Sequence, residues 1–167
     1  MRYWPSIFLT LAFVSSAACA ETFTLAANPG EFNPKTLRAP AESAAVTGTF
    51  KFLAFTGSKA WPAAAYIGVH QGQNRNNSVQ VLAIRNREVD DYLVVGYRLV
   101  IDGKEVTVQS IENVPISSTV RVSITFKKGV ATITVNGRPP INVYAPLALV
   151  SPYASVSSGK AEFQIDP

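Results

Sequence analysis

Between Val120 and Phe126 the chain reads Val-Arg-Val-Ser-Ile-Thr-Phe, with apolar and polar side chains in strict alternation. A period of two places every second side chain on the same side of an extended backbone, so this segment is a strand with one buried face. Lys127-Lys128-Gly129 can reverse the chain, and Val130–Val135 then runs Val-Ala-Thr-Ile-Thr-Val, rich in β-branched residues that favour strands. Asn136-Gly137 follows, a hairpin signal because both residues tolerate positive φ. Pro139-Pro140 cannot donate to a central ladder, so the return strand, Ile141–Tyr144, belongs at an edge.

The same reading extends upstream and downstream. Strands are predicted over Thr22–Leu25, ended by Asn28-Pro29-Gly30, and over Thr47–Phe55, Ala65–Val69 and Val79–Ile84. Tyr92–Ile101 and Glu105–Ile111 flank a second turn signal, Asp102-Gly103, and Tyr153–Val156 and Ala161–Ile165 close the chain. A single helical turn is expected over Pro40–Val46, and no other window sustains a period of 3.6. Many short strands divided by turns, without repeats or linkers, predict an all-β antiparallel two-sheet β-sandwich over residues 21–167. Phe50, Phe52, Val79, Val81, Val122, Ile124, Ile133, Val135 and Phe163 are the predicted core.

Residues 1–20 have a different character. Arg2 is the only charge before Glu21, Ile7–Val14 is a short apolar run, and Ser15–Ala20 are all small. That order describes a secretory signal peptide cleaved after Ala20, which places residues 21–167 outside the cytoplasm, secreted or periplasmic. The run is too short to span a bilayer, and no later stretch is long enough either. A second reading makes Cys19 the lipidated first residue of a lipoprotein, although Ser16 stands where that signal usually has an aliphatic residue. Cys19 and Met1 are the only residues of their kinds, so a chain beginning at Glu21 has no thiol nucleophile, disulfide or cysteine metal site. Apolar residues at 47% against 16% charged exclude a disordered chain, and a net charge of +4 is too small for a nucleic-acid footprint.

Arg121–Ile165 carries a family resemblance. A strand, a basic turn, a strand ending Val-Asn-Gly and a closing Gly-x-Ala-x-Phe strand resemble concanavalin A-like jelly rolls of the lectin and glucanase kind, including laminin G-like domains. The resemblance implies a jelly roll and leaves activity open, since this architecture hosts binders and enzymes alike. Laminarinase-type glucanases of the fold carry Glu-x-Asp-x-Glu. Glu88-Val89-Asp90 matches its first half, but Tyr92 and Leu93 occupy both places where the last Glu would stand, so Glu88-Val89-Asp90-Asp91 reads as a solvated turn. The alginate-lyase branch uses His with Gln, Arg and Tyr on the concave face. Here Val69-His70-Gln71 reverses its Gln-x-His order, and Arg85-Asn86-Arg87-Glu88 only loosely echoes its arginine strand.

Six residues form the candidate ligand-binding set. Trp61, the only tryptophan after residue 20, and Tyr66 offer flat faces for a sugar ring. His70, Gln71, Asn74 and Arg75 offer the donors and acceptors that sugar hydroxyls require. No matched acid and base can be read, and no spacing indicates a cofactor or metal, calcium included. The expected function is therefore a secreted non-catalytic binding module for a glycan or cell-surface polysaccharide, with no nucleic-acid partner. A small polysaccharide lyase or glycoside hydrolase is the alternative, and a structural envelope protein a third reading.

Overall fold

A computed structural model describes residues 20–72 and 75–166; the expected signal peptide lies outside them. Ten strands and no helix are found among the described residues: β1 Glu21–Thr36, β2 Ser43–Phe55, β3 Ala63–Gln71, β4 Asn77–Arg85, β5 Tyr92–Ile101, β6 Lys104–Pro115, β7 Val120–Lys127, β8 Val130–Val135, β9 Ile141–Tyr144 and β10 Ser151–Ile165. All pairings between them are antiparallel.

The two layers come from one folded sheet. One edge of β10 pairs with β3 over Ser151–Ser157 and with β2 over Gly159–Ile165. Ser158, at φ 48°, separates the two halves, so the strand bends there and passes from one layer to the other. β1 follows the other edge of β10 through the same bend, its register slipping between Ala27 and Phe32. Gly30 N donates to the Ser158 hydroxyl at 2.9 Å and ties the two bends together. The first layer therefore runs β6-β5-β4-β3 into the first half of β10, and the second runs from the last half of β10 through β2-β7-β8-β9.

Two expectations need correction. The segment Pro40–Val46 forms no helical turn: Ala41 bridges to Val150 through both backbone groups, and Ser43 already belongs to β2. Seven residues cannot hold a helix against a strand partner, and Val46 is buried opposite Ile124. The first strand also does not end at Asn28-Pro29-Gly30. Gly30, at φ +80°, absorbs the irregularity as a bulge, and pairing with β10 resumes at Phe32. Likewise the two predicted closing strands are the two halves of β10.

The turn chemistry holds. Asp102-Gly103 and Lys128-Gly129 both have positive φ at both positions, the geometry whose twist matches the flanking strands, and they close hairpins at Ile101/Lys104 and Lys127/Val130. Asn136-Gly137 has the same backbone, but Pro139-Pro140 delay re-pairing until Ile141 faces Ile133. β9 is an edge strand, as those prolines require. All nine predicted core residues are 5% exposed or less. Across the second layer Phe23, Phe163 and Phe50 lie in one cross-strand row, with ring centroids at 5.5 and 5.9 Å.

Candidate functional site

Alternation gives the first layer two faces. Ala63, Ala65, Ile67 and Val69 of β3 enter the core, so Ala64, Tyr66, Gly68 and His70 face outward. Register then sets their neighbours in rows across the strands. Phe32, Ser157, Ala64 and Ile84 form one row, and Pro34, Ser155, Tyr66, Leu82 and Gly96 the next. Thr36, Tyr153, Gly68, Gln80, Arg98 and Val108 form a third, and His70, Ser78, Val100 and Glu105 a fourth. From Ala64 to His70 this face is about 20 Å long at the rise of an antiparallel strand.

Three adjoining depressions run along it. One of about 360 Å³ lies between Phe32, Trp61 and Ile84, one of about 310 Å³ beside Tyr66 and Gly96, and one of about 450 Å³ over Tyr153 at the Arg75 end. Arg98 borders all three, so they form one groove. Its first end is aromatic. Trp61 is half exposed, in a loop closed by reciprocal backbone bonds with Ser58, and its indole N–H donates to the Ser157 hydroxyl at 2.8 Å. Phe32 is 40% exposed and meets the Tyr66 ring edge-on at 5.7 Å.

The middle is polar and internally paired. The Arg98 guanidinium lies 5.1 Å from the Tyr66 ring centre and donates to Glu105 at 2.7 Å. Gln80 sits between Arg98 and Tyr153. A guanidinium can only donate, so the Gln80 carbonyl faces it, accepting from Nε and Nη2 at 2.5 and 3.1 Å, while the amide nitrogen meets the Tyr153 oxygen. Gly68 makes room for this arrangement: a Cβ there would lie 2.8 Å from the Tyr153 ring.

His70 and Tyr153 are in edge-to-face contact at 5.2 Å, and both are buried. The Gly72 carbonyl, 2.7 Å from Nδ1, can only accept, so Nδ1 carries a proton and Nε2 faces the Thr36 hydroxyl at 3.4 Å. Burial pushes the His70 pKa down, opposed by the Gly72 carbonyl and assisted by the Arg75 charge. Burial pushes both the Tyr153 and Tyr66 phenols up, so neither ionises near neutral pH. Arg75 closes this end, its guanidinium 5.6 Å from the Tyr153 ring centre.

Of the six residues singled out in the sequence, the fold gathers Trp61, Tyr66, His70 and Arg75 on this face. Gln71 is not among them: its Oε1 accepts from Ala148 N at 2.7 Å and anchors a loop. Asn74 lies outside the described residues. Phe32, Gln80, Arg98, Glu105 and Tyr153 belong to the site but are not among the six. A period-two search for outward aromatics finds Tyr153 in phase with Ser155, but nothing local points to Phe32. Asp90, by contrast, does not line the groove. It is buried in the turn before β5, accepting from Arg87 N at 3.1 Å and Arg87 Nε at 2.9 Å, so the acidic turn is less solvated than expected.

No protein-family model matches the chain, and no curated protein matches it in sequence. Solved structures match it in fold. A protein of unknown function from Saccharomyces cerevisiae superposes with a TM-score of 0.61 at 11% identity, over 87% of this chain and 86% of that one. A carbohydrate binding module from Bacillus subtilis gives 0.58 at 10% identity, over 87% and 93%. An alginate lyase from Pseudomonas aeruginosa gives 0.54 at 14% identity, over 77% and 65%. The likeness is one of fold, and it defines the class: an all-β, concanavalin A-like jelly roll.

Proposed function

We propose that this protein is a secreted, non-catalytic module that binds a glycan along the groove of the first layer. The observation that carries this reading is the groove itself: half-exposed aromatic rings at one end, an arginine bordering its whole length, and hydrogen-bonding side chains on its floor. Aromatic faces stack on the apolar faces of sugar rings, and paired donors and acceptors replace water on their hydroxyls. The likeness to a carbohydrate binding module over 93% of that module's length supports it.

One observation favours a second reading, a polysaccharide lyase: His70, Tyr153, Gln80 and an arginine meet in one place. Against turnover stand the burial of both rings and the commitment of both His70 nitrogens to protein partners. A general base must reach the proton that it abstracts.

Binding to a polysaccharide panel, with ultraviolet absorbance to detect the double bond that a lyase creates, separates the two. Binding without new absorbance is expected. Trp61→Ala and Arg98→Ala should each weaken it by about tenfold or more, since tryptophan and arginine dominate such contacts. Turnover that disappears in His70→Ala would make the protein a lyase. Binding unchanged in both groove variants would place the site elsewhere.

Secretion is part of the proposal. It is supported by the signal-like residues 1–20 and by a first strand that begins at Glu21. N-terminal sequencing of the exported protein should start at Glu21. A lipid-bearing Cys19 would overturn this and anchor the domain at a membrane surface.

A further inference from the structure

Six of the seven described arginines are hydrogen-bonded to a carboxylate or a backbone carbonyl. Arg38 donates to Ala45, Arg85 to Asp90 and Glu88, Arg87 to Asp90, Arg98 to Glu105, Arg121 to Asp166 and Arg138 to Glu112. Arg75 is the seventh. Among the described residues it has no ion pair and no hydrogen bond, and its Nε is buried without a partner. Its neighbours in sequence, Gln73, Asn74, Asn76 and Asn77, carry no charge.

The side chain is nonetheless held in place. Its guanidinium rests against the Tyr153 ring, its backbone is in the left-handed region at φ 53°, and it borders the largest of the three depressions of the groove. A partly buried guanidinium that rests on a ring but has no hydrogen-bond partner among the described residues loses hydration that the ring face replaces only in part, unless an anion completes it. The other groove arginine, Arg98, is already neutralised by Glu105. The positive charge not answered by a described carboxylate therefore lies at the Arg75 end, in the depression over Tyr153 that Phe32 and Glu105 also line.

We infer that Arg75 is a subsite for an anionic substituent, a carboxylate or a sulfate ester, on a glycan whose neighbouring rings stack at the Trp61 and Phe32 end. The inference rests on the groove being the glycan site and names the charge class of the ligand. Arg75 supplies a flat donor fork, which suits both oxyanions.

Calorimetric titration of the full mature chain tests it, with polygalacturonate, the same polymer after reduction of its carboxyl groups, dextran and dextran sulfate as probes. Tighter binding of one acidic polymer than of its neutral counterpart is expected, and the preferred pair identifies carboxylate or sulfate. Arg75→Gln should weaken the acidic probe by about tenfold, as loss of a charge-assisted contact in a partly wet site implies, and should leave the neutral probe unchanged. Arg75→Lys, which keeps the charge and loses the fork, should fall between the two and also shows that the position tolerates substitution. Lys160→Gln, the same charge change on the exposed face of the second layer, should have little effect.

Equal affinity for acidic and neutral polymers, or equal weakening by Lys160→Gln, would overturn the subsite and leave the glycan reading standing. Failure to bind any of the four probes, together with a blank polysaccharide panel, would instead remove the glycan reading.

Discussion

Replacing Phe163 with alanine is expected to lower the free energy of unfolding by about 3–5 kcal/mol. Phe163 is fully buried and occupies the centre of the aromatic row that joins β1, β10 and β2. It stacks on Phe23 at an interplanar angle of 15° and leans on Phe50 from the other side. Removing the ring leaves a cavity whose walls belong to strands tied by their own ladders, so they cannot collapse to fill it. Urea unfolding of the variant measures the loss. A companion pair tests the phase of the second layer. Ile124→Ala should cost about 2–5 kcal/mol, whereas Thr125→Ala, one residue on and exposed, should change stability by no more than about 0.5 kcal/mol. Equal effects in the pair would mean that the alternation does not decide which face is buried.

Gly68→Ala should do damage of a different kind. The added methyl group would sit 2.6 Å from the Val79 carbonyl oxygen and 2.8 Å from the Tyr153 ring. The carbonyl belongs to the ladder between β3 and β4, so relief requires that ladder to distort as well as the ring to move, and overpacking of this sort costs about 1–3 kcal/mol or more. Tyr153 carries the Gln80 contact and supports Arg75, so displacing it should also reshape the charged end of the groove. The variant is therefore expected to melt at lower temperature and, in the fraction still folded, to bind acidic polymer more weakly while stacking at Trp61 persists. Wild-type stability together with wild-type binding would show that the floor of the groove is looser than its packing implies.

Both predictions depend on relations that differ in how far apart they lie along the chain. The inward phase of β7 and β8 was legible because alternation is a local property: Val122, Ile124, Ile133 and Val135 declare one face within a few residues. The two tight hairpins were legible for the same reason, since Asp102-Gly103 and Lys128-Gly129 specify their own backbone geometry. Reading broke down where a strand is longer than its local signal. Asn28-Pro29-Gly30 looks like an ending, yet the β10 ladder carries β1 past it to Thr36, which is why Phe32 was not counted in the site. Pro40–Val46 contains Ala and Glu, which favour helices, but propensity is small beside tertiary pairing, and the ladder to β7 outweighs it.

The candidate site shows the same division. Trp61, Tyr66, His70 and Arg75 lie close together in sequence, and the loop composition that singled them out is a local feature. Gln71 shares that composition, but the β3 pleat turns it to the opposite side from His70, where it fastens Ala148. By itself the sequence determined strand phase, the tight turns, the nine core residues and the all-β class, because each follows from the chemistry of residues a few positions apart. Only the tertiary structure decided that Thr36, Tyr153, Gly68, Gln80 and Arg98 share one row, and that Arg98 is neutralised by Glu105 while Arg75 has no such partner among the described residues. Such a row is made by ladders between strands that are distant in sequence, where the register, set by the bend at Ser158 and the packing of the whole core, selects which outward side chains become neighbours.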